Sequence, residues 1–435
     1  MDRPENTGFS SIKVFPNSAD LKHSPCDLVL PNGERIHAYV PLGFEANGGP
    51  VFAPRNLKVT VTHLERQGEA VETALMNVVT QGRLTRELVP YHTSMPGYTR
   101  GIRFLDLKTN WVYTISGVGM GRAKGSVVVY EIPNVLNDQD ISQWIKENDQ
   151  APNAEMRIEK HGNVTKIPSR DPMGAYFVDQ MLEKIAATKK VAALGMHAVI
   201  PKVIAWGKYD DLSFRGREVG FFIYKTPLAI FPSRISALTL LVQDYVYAQG
   251  REDLMQNINL FHMWAYRTAQ CIAAMARFDL VHNQLHPGNT GLICDPEQKN
   301  RPLITDMGTL QGIKEHEERR KIESLLLKNA EKRTPRQEAQ ICNLAVFMCE
   351  TLKHSLMDRG RKGEEECLCR LLSYIAEGIN SRGFNTPSAS GLADRERCYK
   401  KILDKSDLAK KYFKERLWYF LAYFFANDMI LNLDD

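Results

Sequence analysis

No glycine or proline occurs between Arg251 and His286, and apolar residues recur there at Leu254, Ile258, Phe261, Ala265, Ile272 and Met275. That spacing is one face of a helix of period 3.6, and it predicts a helix over 254–279. The helix runs straight into His282-Asn283-Gln284-Leu285-His286-Pro287-Gly288-Asn289, where Pro287-Gly288 forces a turn. An apolar strand, "PLIT", follows and ends at Asp306-Met307-Gly308. A long buried helix, a polar loop, a short hairpin and a carboxylate therefore stand in a fixed order. Few folds place four such features in one stretch.

The remainder of the chain divides by texture. Residues 1–104 lean towards strands and turns, with Asn32-Gly33 between two alternating runs, the pattern of a hairpin. "WVYTISG" and "SVVVYEI" are β-rich and flank a glycine-rich stretch holding Gly117, Gly119, Gly121 and Gly125. His161-Gly162-Asn163 supplies the turn of a second hairpin, "EMRIEKHGNVTKIP". Tyr176–Ala193 lacks glycine and proline and spaces Phe177, Met181, Ile185 and Ala192 as a helix does. "VIPKVIAWG" and "EVGFFIYKT" read as two strands, and helices dominate from Leu254 onward. The aromatic run "RLWYFLAYFFANDMIL" has helical spacing and is expected to be buried.

Composition excludes several classes. At 435 residues, with 43% hydrophobic and 25% charged, the chain can bury a full core, which rules out a disordered or coiled-coil protein. A net charge of +5, with both signs interleaved, gives no reason to expect nucleic acid or an anionic membrane as partner. No apolar run reaches the ~18 residues of a membrane span, and residues 1–20 hold no signal-peptide core. The eight cysteines form no C-x-x-C pair, and Cys367-Leu-Cys369 lacks a second pair at zinc spacing. Free thiols in a reducing compartment are expected, either the cytoplasm or a cytosol reached without a cleavable signal.

The segment from His282 to Gly308 resembles the catalytic and metal-binding loops of the protein-kinase-like superfamily, whose patterns are H-x-D-L-H-P-G-N and D-F-G. The resemblance is specific there and extends loosely over three quarters of the chain. It implies an α+β, two-lobed protein-kinase-like fold: a small β-rich lobe over 105–229, a large helical lobe over 230–435, and a β-leaning extension over 1–104. It implies ATP and Mg²⁺ as cofactors, with Asn289 and Asp306 as metal ligands, and a protein as partner or substrate. A hard cation takes oxygen ligands, so an amide and a carboxylate suit it.

By the same resemblance, Lys166 in Val164-Thr165-Lys166-Ile167-Pro168 is the phosphate-side lysine and Glu183 its partner on the helix. Asp179 and Gln180 remain alternatives to Glu183, which lies on the wheel almost opposite Met181 and Ile185. Gly117, Gly119 and Gly121 would cover the phosphates, or else form an ordinary glycine-rich hairpin turn. Gln284 stands where the family carries its catalytic Asp, and an amide cannot take a proton. Gln340 stands where a buried helix usually carries an Asp that anchors the loop. These departures imply a pseudokinase or a very weak phosphotransferase. An active transferase with an altered mechanism is the first alternative, and a small-molecule kinase of the aminoglycoside or choline type the second.

Overall fold

A computed structural model describes residues 24–29, 35–40, 51–52, 55–83, 85, 88–90, 101–106, 109, 111–124, 127–131, 154–158, 164–168, 174–196, 198–227, 254–282, 285, 289–293, 301–307, 310–312, 333–355, 364–381, 383 and 385–431. Strands dominate the first half, with two helices among them. They are β1 (Ser24–Val29), β2 (Arg35–Val40), β3 (Val51–Phe52), β4 (Val59–Leu64), α1 (Glu69–Gln81), β5 (Leu88–Pro90), β6 (Gly101–Asp106), β7 (Trp111–Ser116), β8 (Met120–Lys124), β9 (Val127–Glu131), β10 (Ala154–Ile158), β11 (Val164–Pro168), β12 (Tyr176–Phe177), α2 (Val178–Ala193), β13 (Lys202–Phe214) and β14 (Arg217–Pro227). Helices dominate the second half: α3 (Leu254–Arg277), β15 (Leu280–His282), β16 (Thr290–Leu292), β17 (Pro302–Ile304), β18 (Leu310–Gly312), α4 (Pro335–Ser355), α5 (Glu364–Asn380), α6 (Ala389–Lys405), α7 (Asp407–Lys414) and α8 (Trp418–Leu431). The class is α+β.

A seven-stranded antiparallel sheet organises the first half, in the order β4-β13-β14-β7-β6-β5, with β12 also on β14. Its centre is the β13–β14 hairpin, which turns through Arg215 and Gly216, both at positive φ (52° and 73°), the twist a two-residue hairpin needs. Alternate residues of β14 face opposite helices. Phe221 and Ile223 pack with Leu75 and Val79 of α1, while Phe222 packs with Met181 and Ile185 of α2. The sheet is thus covered on both sides.

Pairing crosses the boundary drawn at residue 104, which falls inside β6. The strands β4, β5 and β6 pair in the same sheet as β7, β13 and β14, and α1 covers one of its faces. Such pairing is set by partners distant in sequence and leaves no local signature. The hairpin of β10 and β11 forms as its turn residues predict, yet among the described residues those two strands pair only with each other. Residues 125–126 and the turn at 159–163 lie outside the described residues.

The helices share one apolar core. Trp264 of α3 meets Phe347 of α4 at 4.9 Å between ring centroids, and Leu371 of α5 and Phe425 of α8 complete the cluster. The C-terminal aromatic run is largely buried, as its spacing predicts, with Leu421, Ala422, Phe425 and Met429 inside and Tyr419 and Phe420 partly exposed. Among the described residues the cysteines form no disulfide with one another. Among the described residues no helix is long and apolar enough to cross a membrane.

His262 of α3 is 4% exposed and stacks on Tyr374 at 4.8 Å. Burial, with a smaller push from Arg370, lowers its pKa to about 3. The unfolded chain therefore binds a proton that the folded chain refuses as pH falls below the ordinary histidine value. Stability should drop by at most ~1.4 kcal/mol per pH unit between about pH 6.5 and pH 3. Denaturant titration across that range measures the slope, and His262→Phe should flatten it.

Candidate functional site

The site is built on the β16–β17 hairpin. Its register pairs Thr290 with Ile304, which places Asn289 and Thr305 opposite each other just beyond the last strand pair. The Thr305 backbone N–H donates to the Asn289 carbonyl at 2.8 Å, and the Thr305 hydroxyl donates to the same oxygen at 3.1 Å. Asn289 and Asp306 are thereby brought side by side, with Asn289 Nδ2 donating to Asp306 Oδ2 at 3.5 Å. Asp306 takes a left-handed backbone conformation, φ 59°, which aspartate tolerates better than most residues but still at some cost.

Two further ties fix the hairpin. The imidazole Nε2 of His282, fully buried, lies 2.8 Å from the Thr305 carbonyl, so this nitrogen must carry the proton. The His282 backbone N–H donates to Asn343 Oδ1 at 2.8 Å, and Asn343 Nδ2 donates to the Leu280 carbonyl at 3.1 Å. Asn343, on α4, is the side chain that anchors this loop. It lies one turn after Gln340, the position assigned that role from sequence. On the other side, Val199 bridges Leu303 in parallel, donating to the Pro302 carbonyl at 2.8 Å and accepting from Ile304 at 3.1 Å.

Helix α2 delivers a cation to the site. Lys184 lies on its buried face with Met181, Ile185 and Thr188, and its ammonium forms an ion pair with Asp306 Oδ1. The ammonium also lies 5.4 Å from the Tyr176 ring centroid and 5.8 Å from that of Phe222. Burial alone would lower its pKa, but the fields of Tyr176 and then Asp306 outweigh burial and raise it above the ordinary lysine value. The lysine is a fixed positive charge within an aromatic wall.

The other residues singled out in the sequence fall into place as follows. Glu183 is exposed on the opposite side of α2, and no described residue forms an ion pair with it. Lys166 is in β11, but its side chain lies outside the described residues, as does all of Gln284. Gly117 (φ 91°) and Gly119 (φ 120°) form the turn that leaves β7. A Cβ on Gly117 would come within 2.6 Å of the Gly220 carbonyl, so sheet packing by itself requires glycine there. The Gly117 carbonyl accepts from Tyr209 Oη at 2.7 Å, the Val118 carbonyl from Arg55 Nη1 at 2.6 Å, and the Gly119 N–H donates to Gly174 at 2.8 Å. Gly121 lies in β8.

Lys184 and Asn343 are the residues the sequence reading passed over. Each carries a detectable signal, a polar side chain within an apolar helical stripe: Lys184 with Met181 and Thr188, Asn343 with Ala339 and Phe347.

No family profile matches the chain, and no curated protein matches it. Among solved structures, it is similar to WaaP in complex with acyl carrier protein, at 12% identity and TM-score 0.29, covering 80% of this chain and 99% of that one. It is also similar to a Toxoplasma gondii specific rhoptry antigen kinase domain, at 11% identity and TM-score 0.24, covering 86% and 93%. Glucosamine kinase in complex with glucosamine, ADP and inorganic phosphate matches at 11% identity and TM-score 0.26, covering 88% and 94%.

Replacing Asn343 by alanine leaves the buried His282 N–H without its acceptor and the Leu280 carbonyl without that donor. The variant should lose about 1–3 kcal/mol of stability for each group left unsatisfied, measured by chemical denaturation.

Proposed function

We propose that the protein is a two-lobed, protein-kinase-like nucleotide- and Mg²⁺-binding protein in which Gln284 has replaced the catalytic aspartate, leaving a pseudokinase or a very weak phosphotransferase. The sheet with α1 and α2 would be the small lobe, and α3–α8 the large one. The observation that carries this reading is the pair of oxygen-bearing side chains, Asn289 and Asp306, held together by the β16–β17 register at the foot of α2.

The donor set fits the metal. Magnesium is commonly held by one or two protein oxygens, the rest of its shell being water and phosphate. A carboxylate and an amide meet that requirement, and turning the Asn289 amide about its last torsion aims oxygen rather than nitrogen at the shared point. Bound there with a nucleotide, Mg²⁺ would neutralise charge on the phosphate oxygens. Asp306 would hold the cation, Asn289 would complete its protein ligands, and His282 with Asn343 would keep both in register. Gln284 would orient an acceptor group by hydrogen bond without removing its proton. A protein partner or substrate goes with this reading, since a poor catalyst can still serve as a nucleotide-dependent scaffold.

Calorimetry with ADP or ATP, with and without Mg²⁺, tests the reading. The parent chain should bind nucleotide in a Mg²⁺-dependent manner, and Asp306→Ala should abolish that dependence while remaining folded by circular dichroism. Absence of nucleotide binding by the parent under every condition overturns the proposal. Phosphate transfer should be slow, and Gln284→Asp should raise it by up to ~10²–10⁴-fold, the range a positioned general base contributes. Brisk transfer by the parent would instead favour the altered-mechanism transferase.

A further inference from the structure

Lys184 is a costly residue where it stands. A leucine or methionine on the buried face of α2 would pack without desolvating a charge, and buried ion pairs add little net stability. Its surroundings do more than tolerate it: Tyr176 and Phe222, themselves 5.2 Å apart edge to face, wall the ammonium and aim it at Asp306. Of the two Asp306 oxygens, Oδ1 takes the ammonium and Oδ2 the Asn289 amide. The carboxylate expected to hold a metal is therefore engaged from both sides by the protein itself.

The neighbouring strand supplies no substitute. In register with Phe222, Tyr224 and Thr226 of β14, β7 presents Ser116, Thr114 and Val112 to the same sheet face, and none is a cation. A divalent ion drawn to Asp306 competes with the ammonium even where the Asn289 amide turns to free Oδ2, because two cations on one carboxylate repel each other strongly in a partly buried site. The displaced ammonium stays tethered by its own stem beside the metal. A nucleotide brings phosphate oxygens to that place.

The geometry points to Lys184, a helix residue, as the phosphate-binding cation, one that transfers from Asp306 to a nucleotide phosphate when metal and nucleotide arrive together. This rests on the nucleotide-binding reading above and deepens it. Its consequence is interdependence: metal alone must break the ion pair with no new partner for the lysine, and nucleotide alone must compete with Asp306 for it. Together each removes the other's penalty.

The test uses the full chain with Mn²⁺ and ADP as probes. Binding of Mn²⁺ alone is followed by electron paramagnetic resonance, and binding of ADP by calorimetry with and without Mn²⁺. In the parent, each ligand should tighten the other roughly 5–150-fold, the usual range of coupling between sites. Lys184→Met should bind Mn²⁺ alone more tightly than the parent, bind ADP alone more weakly, and lose most of the coupling. Unchanged coupling, or weaker Mn²⁺ binding, overturns the inference.

A second measurement needs no variant. Acylation of Lys184 by an amine-reactive ester, mapped by mass spectrometry on the parent, should increase with Mn²⁺ alone and fall below the ligand-free level with Mn²⁺ and ADP together. Labelling indifferent to both ligands also overturns it. The two levels of failure separate: Asp306-dependent ADP binding that Lys184→Met leaves intact sinks only this inference. A parent chain that binds no ADP sinks the nucleotide reading as well.

Discussion

Asp306 ties helix α2, through Lys184, to the β16–β17 hairpin, and the register of that three-residue hairpin decides how. Because Thr290 pairs with Ile304 and not with a neighbour, Asn289 and Thr305 fall opposite each other, and Asp306 follows at the open end. A one-residue slip would turn each side chain of β17 to the other face. The register is held from three directions: the buried imidazole of His282 on Thr305, the amide of Asn343 behind His282, and the backbone of Val199 across β17. The left-handed backbone of Asp306 is tolerated because so much around it is fixed.

Much of the second half was legible in the sequence. The Gly- and Pro-free run before His286 and the apolar strand before Asp306 specify helix and hairpin by local rules alone, and both form; the Pro287-Gly288 turn lies outside the described residues. The helix at 178–193 follows from periodicity, and the strands read in "VIPKVIAWG" and "EVGFFIYKT" form on either side of Arg215-Gly216. What was illegible is pairing over long distances. Nothing in "VTVTHL" shows that β4 will lie against β13, some 140 residues away, so residues 1–104 read as an appendage while β4, β5 and most of β6 join the principal sheet.

The site shows the same division. Asn289 and Asp306 were readable because motif spacing encodes a hairpin. Lys184 carries only the fainter signal of a cation on an apolar helical stripe, since a motif search for a lysine looks along strands, while this one is brought to the carboxylate by the rotation of a helix. Its neighbour Glu183 drew attention by type yet lies about 100° further round the helix, in solvent. A glycine in such a pattern can be required by packing whatever its chemistry, and Gly117 is such a case. The close approach of the Gly220 carbonyl explains Gly117 without any ligand.

The tie at Val199 has a mechanical consequence. Its N–H and carbonyl are both bonded to β17, only a few residues beyond the end of α2, so the C-terminal end of that helix is pinned to the hairpin while its N-terminal end rests on β14 through β12. Helix α2 is thus tied at both ends, and Lys184 lies between the ties. From Lys184 to Ala193 is about 14 Å, so a tilt of about 10° about the Val199 tie, once the β12 pairing gave way, would carry the lysine roughly 2.5 Å, enough to break contact with Asp306. Anything that pressed on the exposed side of α2 would therefore be read out at the carboxylate.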